Sequence, residues 1–139
     1  MRWRDHSIWL VLVVLTWTVF FQVRDFTFLN LDDVIFLSRN EHVLSGLSWD
    51  NVRWSFSADS PTVSGSWHPL TWLSLMLDAE LFGNDAGGFH LSSVLFHTAS
   101  VLLLYALLMQ MTGERWKSFF VAALFAVHPL HVESVAWVS

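Results

Sequence analysis

Three groups of residues in this chain have types and spacings that could do chemistry. They are the adjacent carboxylates Asp32 and Asp33, the stretch Trp67-His68-Pro69, and the cluster His128-Pro129-Leu130-His131-Val132-Glu133. Two neighbouring carboxylates are costly to bury as charges unless a cation lies between them, so they favour a division of labour. One can take a proton from an attacking hydroxyl while the other accepts a hydrogen bond or holds a metal. An aspartate ahead of an apolar run is equally a helix N-cap, and either residue could cap a helix beginning near Val34. The two roles are compatible. His128 and His131 are three apart and would share a helical face, yet Pro129 interrupts that helix and no third ligand stands at a diagnostic spacing. Substrate contacts and interhelical hydrogen bonds are the other readings of this cluster. The chain has no cysteine, which excludes disulfides and thiolate metal sites.

The elements that must position these groups belong to a membrane protein. Of the 139 residues, 54% are apolar, 14% are charged and nine are tryptophan, a composition too apolar and aromatic for an ordinary soluble domain of this length. The net charge of -5 is dispersed and forms no basic stripe, so nucleic acid is excluded as a partner. The lipid bilayer is the expected one.

In chain order, Arg2 and Arg4 precede an apolar run over 7–23, which is long enough to cross a hydrocarbon core of ~30 Å as a first span. A secretory signal is the rival reading, but no small-x-small cleavage pattern follows Val23. Residues 24–88 carry nine acidic residues against three arginines and form a long external loop. Within it, Val34, Leu37, Val43, Leu44 and Leu47 recur at helical spacing, and Gly46 stands where a helix could end. A second amphipathic piece runs from Trp67 to Phe82, with Pro69 suited to its first turn and Leu70, Leu73, Leu77 and Leu81 forming a stripe. Trp49, Trp54, Trp67 and Trp72 fit rings at headgroup level, so both pieces are expected to lie in the interface. Gly87-Gly88 marks the next boundary. A second span follows over 89–111, and a third over 118–139, broken at Pro129. Pro129 cannot bond back to the Phe125 carbonyl, and a break at membrane depth points to a polar cleft. His90 and His97, seven apart on the second span, share a face and suit interhelical contacts. The basic residues Arg2, Arg4, Arg115 and Lys117 fall on one side, which puts the N-terminus in the cytoplasm and the acidic loop in the periplasm or a lumen. The expected fold is an all-α, multi-pass integral membrane protein of three spans, in a bacterial inner membrane or an ER-type membrane. The uncapped amphipathic stretch at 132–139 suggests a truncated fragment.

Several phrases, in this order, carry a family resemblance: Asn30-Leu31-Asp32-Asp33, Gly46-Leu47-Ser48-Trp49, Trp67-His68-Pro69-Leu70-Thr71-Trp72-Leu73-Ser74, Leu81-Phe82-Gly83, Gly88-Phe89-His90-Leu91 and His128-Pro129-Leu130-His131-Val132-Glu133-Ser134-Val135-Ala136-Trp137. From about Phe26 onward the chain resembles the N-terminal part of the GT-C membrane glycosyltransferases. The branch is the one with C-terminal tetratricopeptide repeats related to protein O-mannosyltransferases.

The resemblance implies a partial GT-C fold and an enzyme that moves a sugar, such as mannose, from a polyprenyl-phosphate carrier to a protein or glycan hydroxyl on the outer face. It assigns Asp32 as base and Asp33 as helper, with the reverse assignment open. His68, His128, His131, Glu133 and Trp67 are the candidate substrate contacts. No cofactor is firmly implied, although a divalent metal is compatible with the acidic pair. The fragment is expected to be inactive alone. Two other readings stand beside this one: a membrane-anchored repeat protein with a degenerate transferase region, and a transporter or metal-handling protein that uses the histidines.

Overall fold

The computed structural model describes residues 3–28, 36, 37 and 40–137. Eight helices are described: α1 (Trp3–Phe20), α2 (Glu41–Leu44), α3 (Trp49–Ser55), α4 (Pro61–Ser64), α5 (Pro69–Phe82), α6 (Ala86–Thr112), α7 (Arg115–Val127) and α8 (His131–Ala136). A 3₁₀ turn, Phe21–Asp25, continues α1, and no strand occurs among the described residues. Two stretches, His6–Asp25 and Ala86–Thr112, are long and apolar enough to cross a membrane. The described residues divide into two compact units, one drawn from 3–23 and 91–137, the other from 24–90, so that α6 contributes to both.

In the first unit, α1 absorbs its polar interruptions locally. Thr16 Oγ1 donates to the Leu12 carbonyl at 2.9 Å and Thr18 Oγ1 to the Val14 carbonyl at 2.7 Å, so neither hydroxyl is left unsatisfied in an apolar setting. Ile8 and Leu12 of α1 pack with Val101 and Tyr105 of α6 and with Ala122 and Ala126 of α7. Ser118, Ala122 and Ala126 are all buried and recur every fourth residue, a small-residue face that lets α7 approach its neighbour closely. Trp9 meets Tyr105 edge to face, with ring centroids 5.5 Å apart. At its start α7 carries a Glu114–Lys117 ion pair at 3.5 Å, which is exposed. With 13 residues, α7 rises only about 20 Å, less than a hydrocarbon core.

The second unit is built on α5. Pro69 begins this helix, where its missing N–H costs nothing, and the backbone N–H of Gly83 closes it on the Ala79 carbonyl. Trp72, Leu75, Met76 and Ala79 of α5 pack with Leu37, Val43 and Phe89 to form the core. Three expectations are corrected here. First, the helical spacing read from Val34 to Leu47, of which Val34 lies outside the described residues, is interrupted at Asn40. Asn40 is extended and its side chain accepts from the His42 N–H at 3.1 Å, so a new short helix, α2, starts there. Gly46, at φ 74°, follows the end of α2. Second, Trp72 is not an interface ring: it is 0% exposed and central to the core, and Trp54 packs against that core. The leucine stripe Leu70, Leu77 and Leu81 is the outward face of α5, with Leu70 74% exposed. Third, α6 begins at Ala86, so Gly87 and Gly88 lie inside its first turn and do not precede it. A Cβ on Gly88 would collide with the Phe82 ring, which explains glycine at that position.

Candidate functional site

Asp32 and Asp33 lie outside the described residues. The first described residue after them is Phe36, and it enters an aromatic nest. Its ring lies 5.4 Å from His68, nearly parallel at 14°, and 5.0 Å from Trp72 at 22°. His68 stacks in turn on Trp72 at 5.1 Å. Trp54 meets Trp72 at 5.3 Å, and His42 stacks on Trp54 at 4.3 Å.

This nest rests on a polar clasp. Asn51 stands at the third position of α3, after the N-cap Ser48, whose Oγ accepts from the Asn51 N–H at 3.1 Å. The Asn51 side chain then donates to Ser45 Oγ at 2.9 Å and to the Gly46 carbonyl at 2.8 Å, while its Oδ1 lies 2.9 Å from His42 Nδ1. The Gly46 turn and the start of α3 are thereby tied to the aromatic rings.

Within the nest, His68 Nε2 and Trp72 Nε1 are buried and have no hydrogen-bond partner among the described residues. Buried polar atoms are nearly always paired, so two orphans on stacked neighbours stand out in this unit. His68 occupies the N-cap position of α5, but its side chain makes no capping bond. Trp67, just before it, is exposed, as an interface ring or a substrate platform would be.

The His128–Glu133 cluster belongs to the first unit. There α7 ends at Val127, His128 is extended and α8 begins at His131. The Leu130 N–H turns to His128 Nδ1 at 3.3 Å instead of the Ala126 carbonyl four residues back, and His97 of α6 takes that carbonyl through Nε2 at 3.1 Å. Around His97 lie Phe20 at 5.3 Å, Phe125 at 5.6 Å and His131 at 5.3 Å. His97 thus makes the interhelical contact expected of it. His90, in the second unit, meets Phe26 edge to face at 6.1 Å.

A cleft of about 280 Å³ opens beside this junction, lined by Ser93, His97 and Ser100 of α6, Phe125 of α7, and His131 and Ser134 of α8. Of the three candidate contacts in the cluster, only His131 lines it; His128 and Glu133 are exposed. The rings of His128 and His131 are 6.0 Å apart, and no group of three metal-ligating side chains occurs among the described residues. Sequence reasoning passed over the serines. Their signal was Ser93, His97 and Ser100 at positions i, i+4 and i+7, a polar stripe on an otherwise apolar helix.

No family model matches the chain, and no solved structure matches it. Curated proteins do. Protein O-mannosyl-transferase Tmtc2 of Drosophila melanogaster is 33% identical over 112 residues, covering 77% of this chain and 12% of its own length. Protein O-mannosyl-transferase TMTC2 of Homo sapiens is 30% identical over 109 residues, covering 76% of this chain and 13% of its own. Protein O-mannosyl-transferase TMTC1 of Mus musculus is 34% identical over 111 residues, or 76% of this chain and 12% of its own. The chain therefore spans about one eighth of the length of these relatives.

Proposed function

As a homologue, over about three quarters of its length, of proteins named protein O-mannosyl-transferase, this chain is, we propose, part of a multi-pass membrane glycosyltransferase. In this reading the protein transfers a sugar from a polyprenyl-phosphate carrier to a hydroxyl on the outer face of the membrane. The fold is of the GT-C type, with α7 and α8 as the two halves of a broken third span and the N-terminus in the cytoplasm. The 24–88 segment is external. By itself the chain, one eighth of such a protein, is inactive.

The chemistry needs little from the protein. A sugar joined to phosphate already carries a good leaving group. Asp32 removes the proton of the acceptor hydroxyl, and the freed oxygen pair attacks the anomeric carbon from the face opposite the phosphate. The anomeric C–O bond breaks, its electrons leave with the polyprenyl phosphate, and the configuration at that carbon is inverted. Asp33 accepts a hydrogen bond from a neighbouring donor or would hold a divalent cation, which would offset the repulsion between the two carboxylates. His68 and Trp67 serve as substrate contacts.

The observation that carries this reading is the orphaned Nε2 of His68 in the aromatic nest. Phe36 stacks on His68 and stands three positions after Asp33 in the sequence. A buried ring nitrogen with no partner among the described residues, stacked on a residue that follows the acidic pair in the chain, suits a site whose ligand brings the missing partner. The test is Asp32→Asn in the longer protein. Transfer should be lost while membrane insertion and expression are unchanged. Normal transfer by that variant would exclude Asp32 as the base.

A further inference from the structure

The cleft in the first unit has no role in the proton transfer assigned to the acidic pair, yet its position and lining are unusual for a membrane span. Its depth follows from α6. His97 stands about 16 Å of helical rise from the start of α6 and about 22 Å from its end. The bond from His97 to the Ala126 carbonyl therefore sets the junction of α7 and α8 level with the middle of a spanning helix. Non-helical backbone is tolerated at that depth only where protein covers it or a water-filled cavity reaches it. The residues of the break itself, His128, Pro129 and Leu130, are exposed.

The lining is polar. Three serine hydroxyls and two imidazoles face the cleft, and no lysine, arginine, aspartate or glutamate lines it among the described residues. The Ser100 hydroxyl donates to the Phe96 carbonyl at 2.9 Å, which leaves its oxygen free to accept. Aromatic faces stand beside the hydroxyls: Phe125, with the His131 ring centroid 4.2 Å from its own, and the exposed Phe96. A site that offers hydroxyl and imidazole hydrogen bonds and aromatic walls, with no lysine or arginine to hold a phosphate, suits a neutral polyol better than a phosphate. Its volume of about 280 Å³ lies just below the ~300 Å³ at which drug-sized pockets begin, so it suits a single sugar ring.

We propose that the cleft between α6 and the α7–α8 junction is a hydrated binding site for an uncharged monosaccharide group. The choice of a sugar over another neutral polyol rests on the transferase reading; the hydration and neutrality of the site do not.

The chain has no cysteine, so single thiols can be placed in it and read without background. Ser100→Cys, Ser134→Cys and, as a lipid-facing control, Leu103→Cys, which is 69% exposed on α6, are each reconstituted in lipid vesicles. Each is treated with a charged, membrane-impermeant thiol reagent, alone and with methyl mannoside or inorganic phosphate. The two cleft thiols should react and the control should not. Methyl mannoside at about four times its Kd should slow the cleft reaction about fivefold, and phosphate should leave the rate unchanged. If the cleft thiols fail to react, lipid or protein fills the space and the proposal falls. It falls equally if the thiols react but methyl mannoside gives no protection, or if phosphate protects them. None of these readings requires turnover. A negative result here together with loss of transfer in Asp32→Asn would remove this site and leave the transferase reading intact.

Discussion

His97 Nε2 lies 3.1 Å from the carbonyl oxygen of Ala126, a residue 29 positions further along the chain. The carbonyl can be reached because Pro129 ends α7 and the Leu130 N–H, its ordinary partner, has turned to His128 Nδ1. One imidazole therefore completes the hydrogen bonding of a broken helix. Replacing His97 with Phe keeps a ring among Phe20, Phe125 and His131 but strands the Ala126 carbonyl. We expect a loss of about 1–2 kcal/mol, measured by thermal unfolding in detergent micelles. His97→Gln should recover much of that loss through its amide donor. Equal losses in the two variants would mean that ring packing, and not the hydrogen bond, holds the junction.

The small-residue face of α7 makes a second prediction. Ala122 is fully buried in the core it shares with Leu12 and Val101. Ala122→Leu has nowhere to place three extra carbons and should destabilise the first unit by about 1–3 kcal/mol. Leu124→Ala, on the exposed side of the same helix, should change stability by less than about 0.5 kcal/mol. Similar effects from the two would argue against close packing of α7 through Ala122.

In the second unit, His68 separates stability from function. His68→Phe preserves the stack on Phe36 and Trp72 and removes a buried nitrogen that has no partner among the described residues. Stability should stay level or rise by up to about 1 kcal/mol. Transfer by the longer protein should fall if His68 contacts substrate. A marked loss of stability would instead show that Nε2 is satisfied in the folded protein.

Asn51 makes three side-chain hydrogen bonds, to His42, Ser45 and Gly46. Asn51→Leu is close in size but satisfies none of them, and it should cost about 2–3 kcal/mol with the Gly46 turn loosened. Amide hydrogen exchange should then rise first in α2 and at the start of α3. Faster exchange confined to α5 would contradict this role.

Local features of the fold were legible in the sequence wherever a single residue type forces the backbone. Pro69 at the start of α5 and Pro129 at the end of α7 were evident because proline lacks an N–H. The two long apolar runs that became α1 and α6 were evident from length and composition. The facing of helices was not. The stripe Leu70, Leu73, Leu77 and Leu81 is plain in the sequence, but not that it is largely Trp72, Leu75, Met76 and Ala79 that α5 buries. A helix that is apolar on both sides leaves its orientation open, because periodicity cannot choose between two apolar faces. Trp72 looked like an interface ring for the same reason: an aromatic type does not say whether lipid or a neighbouring ring will meet it.

By itself, then, the sequence determined that this is a helical chain with two membrane-length segments, that a proline breaks its last long apolar stretch, and which family it resembles. Each of these rests on composition, on covalent restriction or on ordered motifs, all of which act within a few residues or along the line of the chain. Only the tertiary structure decided that Trp72 is core, that His68 is stacked with a nitrogen unpaired among the described residues, and that His97 closes the gap left at Ala126 beside a polar cleft. Those outcomes depend on contacts between distant positions, and the hydrophobic effect that drives them is non-directional, so packing geometry had to choose the partners.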